Sequence, residues 1–364
     1  MDIVAVGIVA DSMNMLDMEN RAIVNYGLSH LENDITKEFF KEVKNPTITN
    51  ISWGLANYMN SVIRFGKQDE KELLWKVLIG EEGTVEYRKR DKSIVQQTYA
   101  EALKRIANNV RSRQNRAVKD AVEKIKREIY KYGLDDNKCI IMNYKVDSGI
   151  RGLVAQKLTS EFKRPCILLS SYKGILGGSA RSPFEGFKEI VDKSNLVEFA
   201  QGHSGAFGIN IKEENIDKLV KYLNEEIDDL IIDEKVEEVD YIFNADSVTL
   251  DIVKEVANLD RLWGKGIQEP LFIIKNLTIE SKNIKHKKSI KGYCTQFKYK
   301  GIYFNKNFSS QSIFDDMTCA DQLKFGRSQL LDLTLLVKFR RDDKGFIYID
   351  IVDFNSRKSN KIIF

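Results

Sequence analysis

The chain has 364 residues, 43% of them hydrophobic and 30% charged, with a formal net charge of +4. That length exceeds what one hydrophobic core serves, so a small stapled scaffold is excluded and two or three domains are expected. The small net charge does not by itself argue for nucleic acid. The longest apolar runs, such as Cys166–Leu169 and Leu333–Val337, cannot cross a bilayer, and the chain does not open on a signal peptide, so a cytoplasmic protein without membrane contact is expected.

In chain order, Asp2 to Val9 is apolar and β-branched and reads as a buried parallel strand that delivers Asp11 to its carboxyl end, the edge where open α/β sheets place ligands. Asn20 to Leu31 reads as a helix, and Ile51 to Phe65 as a strand or helix ending in Asn60-Ser61-Val62-Ile63-Arg64. Between Asp91 and Tyr132 there is no proline or glycine, and apolar residues recur at helical spacing, which predicts one long helix or two in line, spanning on the order of 60 Å. From Glu86 to Lys131, fourteen Lys/Arg stand against six Asp/Glu, a pattern that suits either a solvated helix face or a nucleic-acid track.

Lys138 to Tyr144, Cys166 to Ser171 and Ala206 to Ile211 read as strands, with helices at Gly149 to Phe162, within Pro183 to Phe199, and at Glu214 to Leu230. This alternation predicts a second α/β domain, closed by an acidic stretch that runs to Asp240. Beyond Trp263 the pattern turns β-rich without helix-length crossovers, which predicts a small β-barrel. Four lone cysteines, Cys139, Cys166, Cys294 and Cys319, fit buried thiols in a reducing compartment better than zinc or disulfides.

Two segments carry chemistry. Gly177-Gly178-Ser179-Ala180-Arg181-Ser182 and, some twenty residues on, Gln201-Gly202-His203-Ser204-Gly205 together supply glycine backbone, hydroxyls, a planar guanidinium and an imidazole, the parts of an oxyanion cradle. A surface turn with a solvated arginine accounts for the first segment taken alone, and a packed imidazole for His203. In the tail, Tyr293, Phe297, Tyr299, Tyr303, Phe304 and Phe308 interleave with Lys291, Lys298, Lys300 and Lys306, the mixture that single-stranded DNA needs for stacking and backbone neutralisation. Alternation along a strand turns half of those aromatics inward.

These segments, in this order, resemble the RecJ-type single-strand-specific exonucleases of the DHH phosphoesterase superfamily. Val4 to Arg21 is similar to the last motif of the DHH domain. Asn60 to Arg64 is similar to an Asn-Ala-x-x-Arg segment, with Ser61 in place of alanine. Asp147 to Leu158, Arg164-Pro165, the Gly-Ser-Ala-Arg-Ser stretch, Phe184 to Phe187 and the Gly-His turn resemble the DHH-associated domain, and Leu262 to Phe272 the entry to an OB-fold. The resemblance implies an α/β chain with the end of a DHH parallel-sheet domain at 1–83, a connecting helix at 84–132, a DHH-associated domain at 133–238 and an OB-like barrel at 239–364.

It further implies metal-dependent 5′→3′ hydrolysis of single-stranded DNA in repair and recombination, with Asp11 as a ligand of a two-metal manganese or magnesium site. Asn60, Arg64, Gly178, Ser179, Arg181, Ser182, Gly202 and His203 would hold substrate phosphate, His203 and Arg181 would act at the reaction, and Tyr293, Tyr299 and Tyr303 would stack on bases. The chain departs from the family in one respect. No Asp-His-His occurs, its histidines are His30, His203 and His286, and the family's Asp-x-Asp is absent upstream of Asp11. One carboxylate cannot hold two hard cations, so the chain alone is expected to be inactive. Three explanations follow: a partial exonuclease whose remaining ligands come from a separately encoded amino-terminal DHH fragment, a non-catalytic single-stranded DNA-binding protein, or a small-nucleotide phosphodiesterase.

Overall fold

The structure, a computed structural model, describes residues 1–172, 175–227, 238–289, 292–308, 311–319 and 328–359. Lys291 and most of the acidic stretch before Asp240 lie outside the described residues.

The chain opens with α1 (Asp2–Ala10), α2 (Met18–Ser29), α3 (Asp34–Phe40), a π-helical turn (Asn50–Leu55) that runs into α4 (Ala56–Phe65), and α5 (Gln68–Leu78). A hairpin of β1 (Thr84–Arg88) and β2 (Ile94–Thr98) leads into the 33-residue α6 (Tyr99–Lys131). Next come β3 (Ile140–Asn143), α7 (Ser148–Phe162), β4 (Cys166–Tyr172), β5 (Ile175–Arg181), α8 (Phe187–Lys193), β6 (Val197–His203), β7 (Ala206–Ile211) and α9 (Ile216–Glu226). The tail holds β8 (Tyr241–Asn244), α10 (Leu250–Ala257), β9 (Phe272–Glu280), β10 (Lys285–Ser289), β11 (Gly292–Tyr299) and β12 (Ile302–Phe308). It ends with α11 (Gln311–Thr318), β13 (Leu330–Arg341) and β14 (Ile347–Lys358). Contacts divide these elements into two compact units, one of residues 1–57, 77–81 and 237–364, the other of 58–76 and 82–236.

In the first unit the expected opening strand is a helix. A continuous apolar run does not distinguish a buried strand from a buried helix, and Asp2 decides the matter here. Its carboxylate, 4% exposed, accepts hydrogen bonds from the backbone N–H groups of Ile3, Glu32 and Asn33 and from the Thr36 hydroxyl, which places an anion at the helix's positive end. Burial pushes its pKa up, but the bonds from Thr36, Asn33, Glu32 and Ile3 outweigh burial and hold it below the usual carboxylate value. Ala5, Val6, Ile8 and Val9 fill the core behind it. Asp11 therefore caps the carboxyl end of a helix rather than leaving a strand.

The same unit carries a seven-stranded sheet in the order β10-β11-β12-β14-β13-β9-β8. Along β13, Leu331, Leu333, Leu335, Val337 and Phe339 alternate inward and share a core with Phe272 and Ile274 of β9, Phe297 of β11 and Phe304 of β12. Pairing stops at β10 and β8, so among the described residues the expected barrel is an open sheet.

The second unit is built on α6. Its helix starts at Tyr99, not near Asp91, because Thr98 and Glu101 form a reciprocal capping box and β-branched Ile94 and Val95 pair in the hairpin ahead of it. The buried stripe Leu103, Ala107, Val110, Gln114, Val118, Val122, Ile125 and Ile129 faces inward, and its second half packs on Ile150, Val154 and Leu158 of α7. A five-stranded sheet, β3-β4-β5-β7-β6, has only β3 and β4 parallel. Its face away from α7 buries Ile167, Leu169, Ala180, Phe207 and Ile209 against Phe187, Val191, Leu219 and Leu223 of α8 and α9. The mixed α/β architecture is thus distributed over several sheets.

Candidate oxyanion site

Gly177 to Arg181, expected as a loop, is the central strand β5. Neither Gly177 nor Gly178 has positive φ; both serve close packing instead. A Cβ on Gly178 would lie 2.5 Å from the Leu168 carbonyl oxygen, and one on Gly177 3.0 Å from Asn210 Oδ1. Pairing sets the faces: Arg181 lies opposite Cys166 and Ala206, Ala206 opposite His203, and Ser179 opposite Leu168 and Gly208. Cys166 and Leu168 belong to the core under α7, so Ser179 and Arg181 project on the α7 face.

His203 shares that face two strands away, about 10 Å from Arg181 at the usual strand spacing. Gln201 and His203 are exposed and Phe199 is 44% exposed on this face. Gly202 does take a left-handed φ of 141°, and a Cβ there would meet the Ala206 carbonyl oxygen at 2.7 Å. The Ser182 hydroxyl is occupied in a turn, donating to the Phe184 carbonyl oxygen and accepting from the Phe184 N–H.

The first turns of α7 gather the remaining groups. Asp147 caps the helix by accepting from Gly149 N–H at 2.8 Å. Gly149 is needed because a Cβ there would lie 2.0 Å from the carbonyl oxygen of Arg64 at the end of α4, and a Cβ on Gly152 would lie 2.6 Å from Arg181 Nη2 and 3.9 Å from Ser179 Oγ. Burial, and then repulsion from Arg64, press the Arg181 pKa below its ordinary value. A guanidinium remains charged regardless. Among the described residues no salt bridge joins Arg64 or Arg181 to a carboxylate. Asn60, one helical turn before Arg64, shares its face of α4. The exchange of alanine for Ser61 has a local reason, since its hydroxyl donates to Gln114 Oε1 of α6 at 3.0 Å in the buried helix contact.

Two contributors escaped the sequence reading. Arg151 donates from Nη1 to the Gly177 carbonyl oxygen at 3.0 Å, and its buried Nε has no protein partner. Gly152 is the floor under Arg181; the signal for it was the Gly149/Gly152 pair, small residues three apart on one helix face. Gly152→Ala is expected to displace the flexible Arg181 guanidinium rather than the backbone. It should leave stability unchanged or raise it by up to ~1 kcal/mol through helix propensity, while weakening the binding of a phosphate oxyanion several-fold. Urea melts and calorimetric phosphate titration on one preparation check both halves.

Asp11 lies in the first unit, exposed at the end of α1. The segment after it is held by the Gly264–Gly266 turn: Met15 N–H donates to the Lys265 carbonyl oxygen, and a Cβ on Gly264 or Gly266 would strike Met15 or Asn14. Among the described residues no group of three His, Cys, Asp or Glu is placed to hold a metal ion, so Asp11 by itself does not fit a two-cation site.

In the tail sheet Phe297, Phe304 and Phe308 are core. Tyr293 and Tyr299 are half-buried against that core, Tyr293 stacked on His286 at 5.1 Å. Tyr303 is 39% exposed, with Lys298 Nζ 5.1 Å from its ring centre. Lys306 is turned to the carbonyl oxygens of Ile351 and Val352.

No family model matches the chain. It is 30% identical over 338 residues to a putative SPbeta prophage-derived single-strand DNA-specific exonuclease, YorK, of Bacillus subtilis (strain 168), covering 88% of this chain and 58% of the relative. It is 26% identical over 294 residues to the single-stranded-DNA-specific exonuclease RecJ of the same organism, covering 77% and 35%. The fold is similar to that of RecJ from Thermus thermophilus, solved in complex with Mn2+, at a TM-score of 0.63 and 18% identity over 98% of this chain and 50% of that one. The chain thus spans little more than half the length of its first curated relative. With the α/β architecture, these likenesses make the chain similar to RecJ-type single-strand-specific exonucleases over about half of their length.

Proposed function

We propose that this chain is the substrate-holding part of a RecJ-type exonuclease that degrades single-stranded DNA 5′→3′ in the cytoplasm, in repair and recombination. The observation that carries the reading is the juxtaposition of Arg64 and Arg181, mutually repelling and without a paired acid among the described residues, beside Ser179 at the start of α7. A phosphate fits there: Arg181 offers two parallel donors, Ser179 a hydroxyl, Arg64 and Asn60 an approach from α4, and His203 a donor farther along the sheet. In this reading residues 133–238 are the DHH-associated domain, and 239–364 an OB-like module in which Tyr303, with Tyr293 and Tyr299 at its margin, meets bases.

The RecJ proteins of Thermus thermophilus are solved with Mn2+ and with Mg2+, and we infer the same divalent requirement. Hard cations want about six oxygen ligands each, which Asp11 cannot supply, so the other carboxylates would come from an amino-terminal DHH segment. Our test incubates the 364-residue chain with Mn2+ and 5′-labelled single-stranded DNA, alone and with the portion of the YorK-named relative that this chain does not match. Binding in both arms, with cleavage only in the second, is expected. Cleavage by the chain alone overturns the incomplete metal site; binding without cleavage in both arms makes the protein a non-catalytic single-strand binder.

A further inference from the structure

We propose that the β1–β2 hairpin is a second nucleic-acid contact, one that grips the phosphate backbone several nucleotides away from the Arg64–Arg181 site; the inference rests on the nucleic-acid reading above. Arg88, Lys89, Arg90 and Lys92 crowd the turn and all are exposed. The one acid among them, Asp91, is turned back on the chain, accepting from the Ser93 N–H at 3.0 Å and from its hydroxyl at 2.6 Å. None of the four cations is in a salt bridge among the described residues. Lys92 sits at φ 71°, a left-handed position that glycine or asparagine fills more easily. The turn thus keeps a cation where the backbone disfavours it.

The hairpin is braced against α6 from its base to the pair next to its turn. The Tyr87 ring lies 4.1 Å from the Arg105 guanidinium carbon, Arg105 Nε donates to Gln97 Oε1 at 2.9 Å, and Tyr99 N–H donates to the Gly83 carbonyl oxygen at 3.0 Å. Val85, Tyr87, Val95 and Gln97 are half-buried while their strand neighbours face solvent. A braced ribbon with cations at its free end is suited to phosphates.

Its distance from the phosphate site follows from helix geometry. Tyr58 meets Arg111 and Ser61 meets Gln114, so α4 and α6 run side by side in the same direction, and Arg64 lies level with residue 117 of α6. From Arg105 to that level is twelve residues, about 18 Å of helix, the length of about five stacked nucleotides. Short oligonucleotides therefore reach one site and longer ones reach both.

The test is a salt titration of binding by fluorescence anisotropy with a 4-mer and a 20-mer of deoxythymidine. Each released counterion contributes about 0.7 to the slope of log K against log salt for a single strand. Replacing Arg88, Lys89, Arg90 and Lys92 by glutamine should lower the 20-mer slope by about 2 to 3, weaken 20-mer binding at least tenfold and leave the 4-mer unchanged. The Arg88→Gln/Arg90→Gln pair should give about half the slope change with an unaltered thermal midpoint. Wild-type slope and affinity on the 20-mer in both variants would overturn the hairpin contact while leaving the phosphate site standing. A wild-type chain that binds neither oligonucleotide overturns both, and loss of binding to anionic lipid vesicles with DNA binding unchanged gives the hairpin to a membrane surface instead.

Discussion

Replacing Arg181 by alanine is expected to weaken single-stranded DNA binding by about 1 to 3 kcal/mol, roughly 5- to 150-fold, for oligonucleotides of any length. The guanidinium is largely withdrawn from water, wedged over Gly152 and repelled by Arg64, and among the described residues it donates one hydrogen bond, from Nη1 to the Ala180 carbonyl oxygen at 2.7 Å. Desolvation is already suffered in the free protein, so a bound phosphate meets a donor with little hydration left to displace, which makes each bond count more than at an exposed cation. Arg181→Lys should restore little of the loss, because an ammonium lacks the planar fork. Stability should hold or improve, since the substitution relieves the Arg64 repulsion. A double-mutant cycle with Arg64→Ala should be non-additive, as the two charges share one anion. Anisotropy titrations at fixed salt decide it; unaltered affinity in Arg181→Ala would remove the phosphate from this site.

The order of motifs along the chain was readable because each is tied to backbone geometry. Gly149, Gly152, Gly177, Gly178, Gly264 and Gly266 all sit where a Cβ would strike a neighbour at 3.0 Å or less. What sequence could not supply was the use of those glycines. Gly177 and Gly178 read as a phosphate loop yet are packed strand residues, because single-sequence patterns show that a side chain is excluded without showing what excludes it. Likewise Asp2–Ala10 carries no periodicity to separate strand from helix; the decision lies in bonds from Asp2 to Glu32, Asn33 and Thr36, thirty or more residues away. The start of α6 was legible after all, in the Thr98-x-x-Glu101 spacing, and the hairpin before it in the β-branched pair Ile94 and Val95. Arg151 and the Arg64–Arg181 proximity depend on α4, α7 and β5 converging, which is a property of the tertiary fold alone.

Glu269, within the segment that resembles an OB-fold entry, should prove to be a structural clamp. Its carboxylate accepts from Arg340 Nε and Nη2, both at 2.8 Å, and from Lys338 Nζ at 3.0 Å, while Arg340 Nη1 donates to Asp350 at 2.6 Å. Burial pushes the Glu269 pKa up, but Arg340 first and Lys338 second outweigh it and hold the carboxyl below the usual range. For Asp350, burial prevails and raises the pKa. Glu269→Ala leaves Lys338 half-buried without its partner and Arg340 with only one carboxylate; it is expected to cost about 2 to 4 kcal/mol at pH 7, a buried-pair value reduced for partial exposure. The sign of the pH dependence follows from the depressed value. The Glu269 contribution is complete above the unfolded carboxylate pKa of about 4.3 and is lost as pH falls through the lower folded value. Urea denaturation of wild type and Glu269→Gln should show a constant gap from pH 7 to pH 5 that closes toward pH 3. A gap independent of pH would mean that the carboxylate charge is not what binds this segment to β13 and β14.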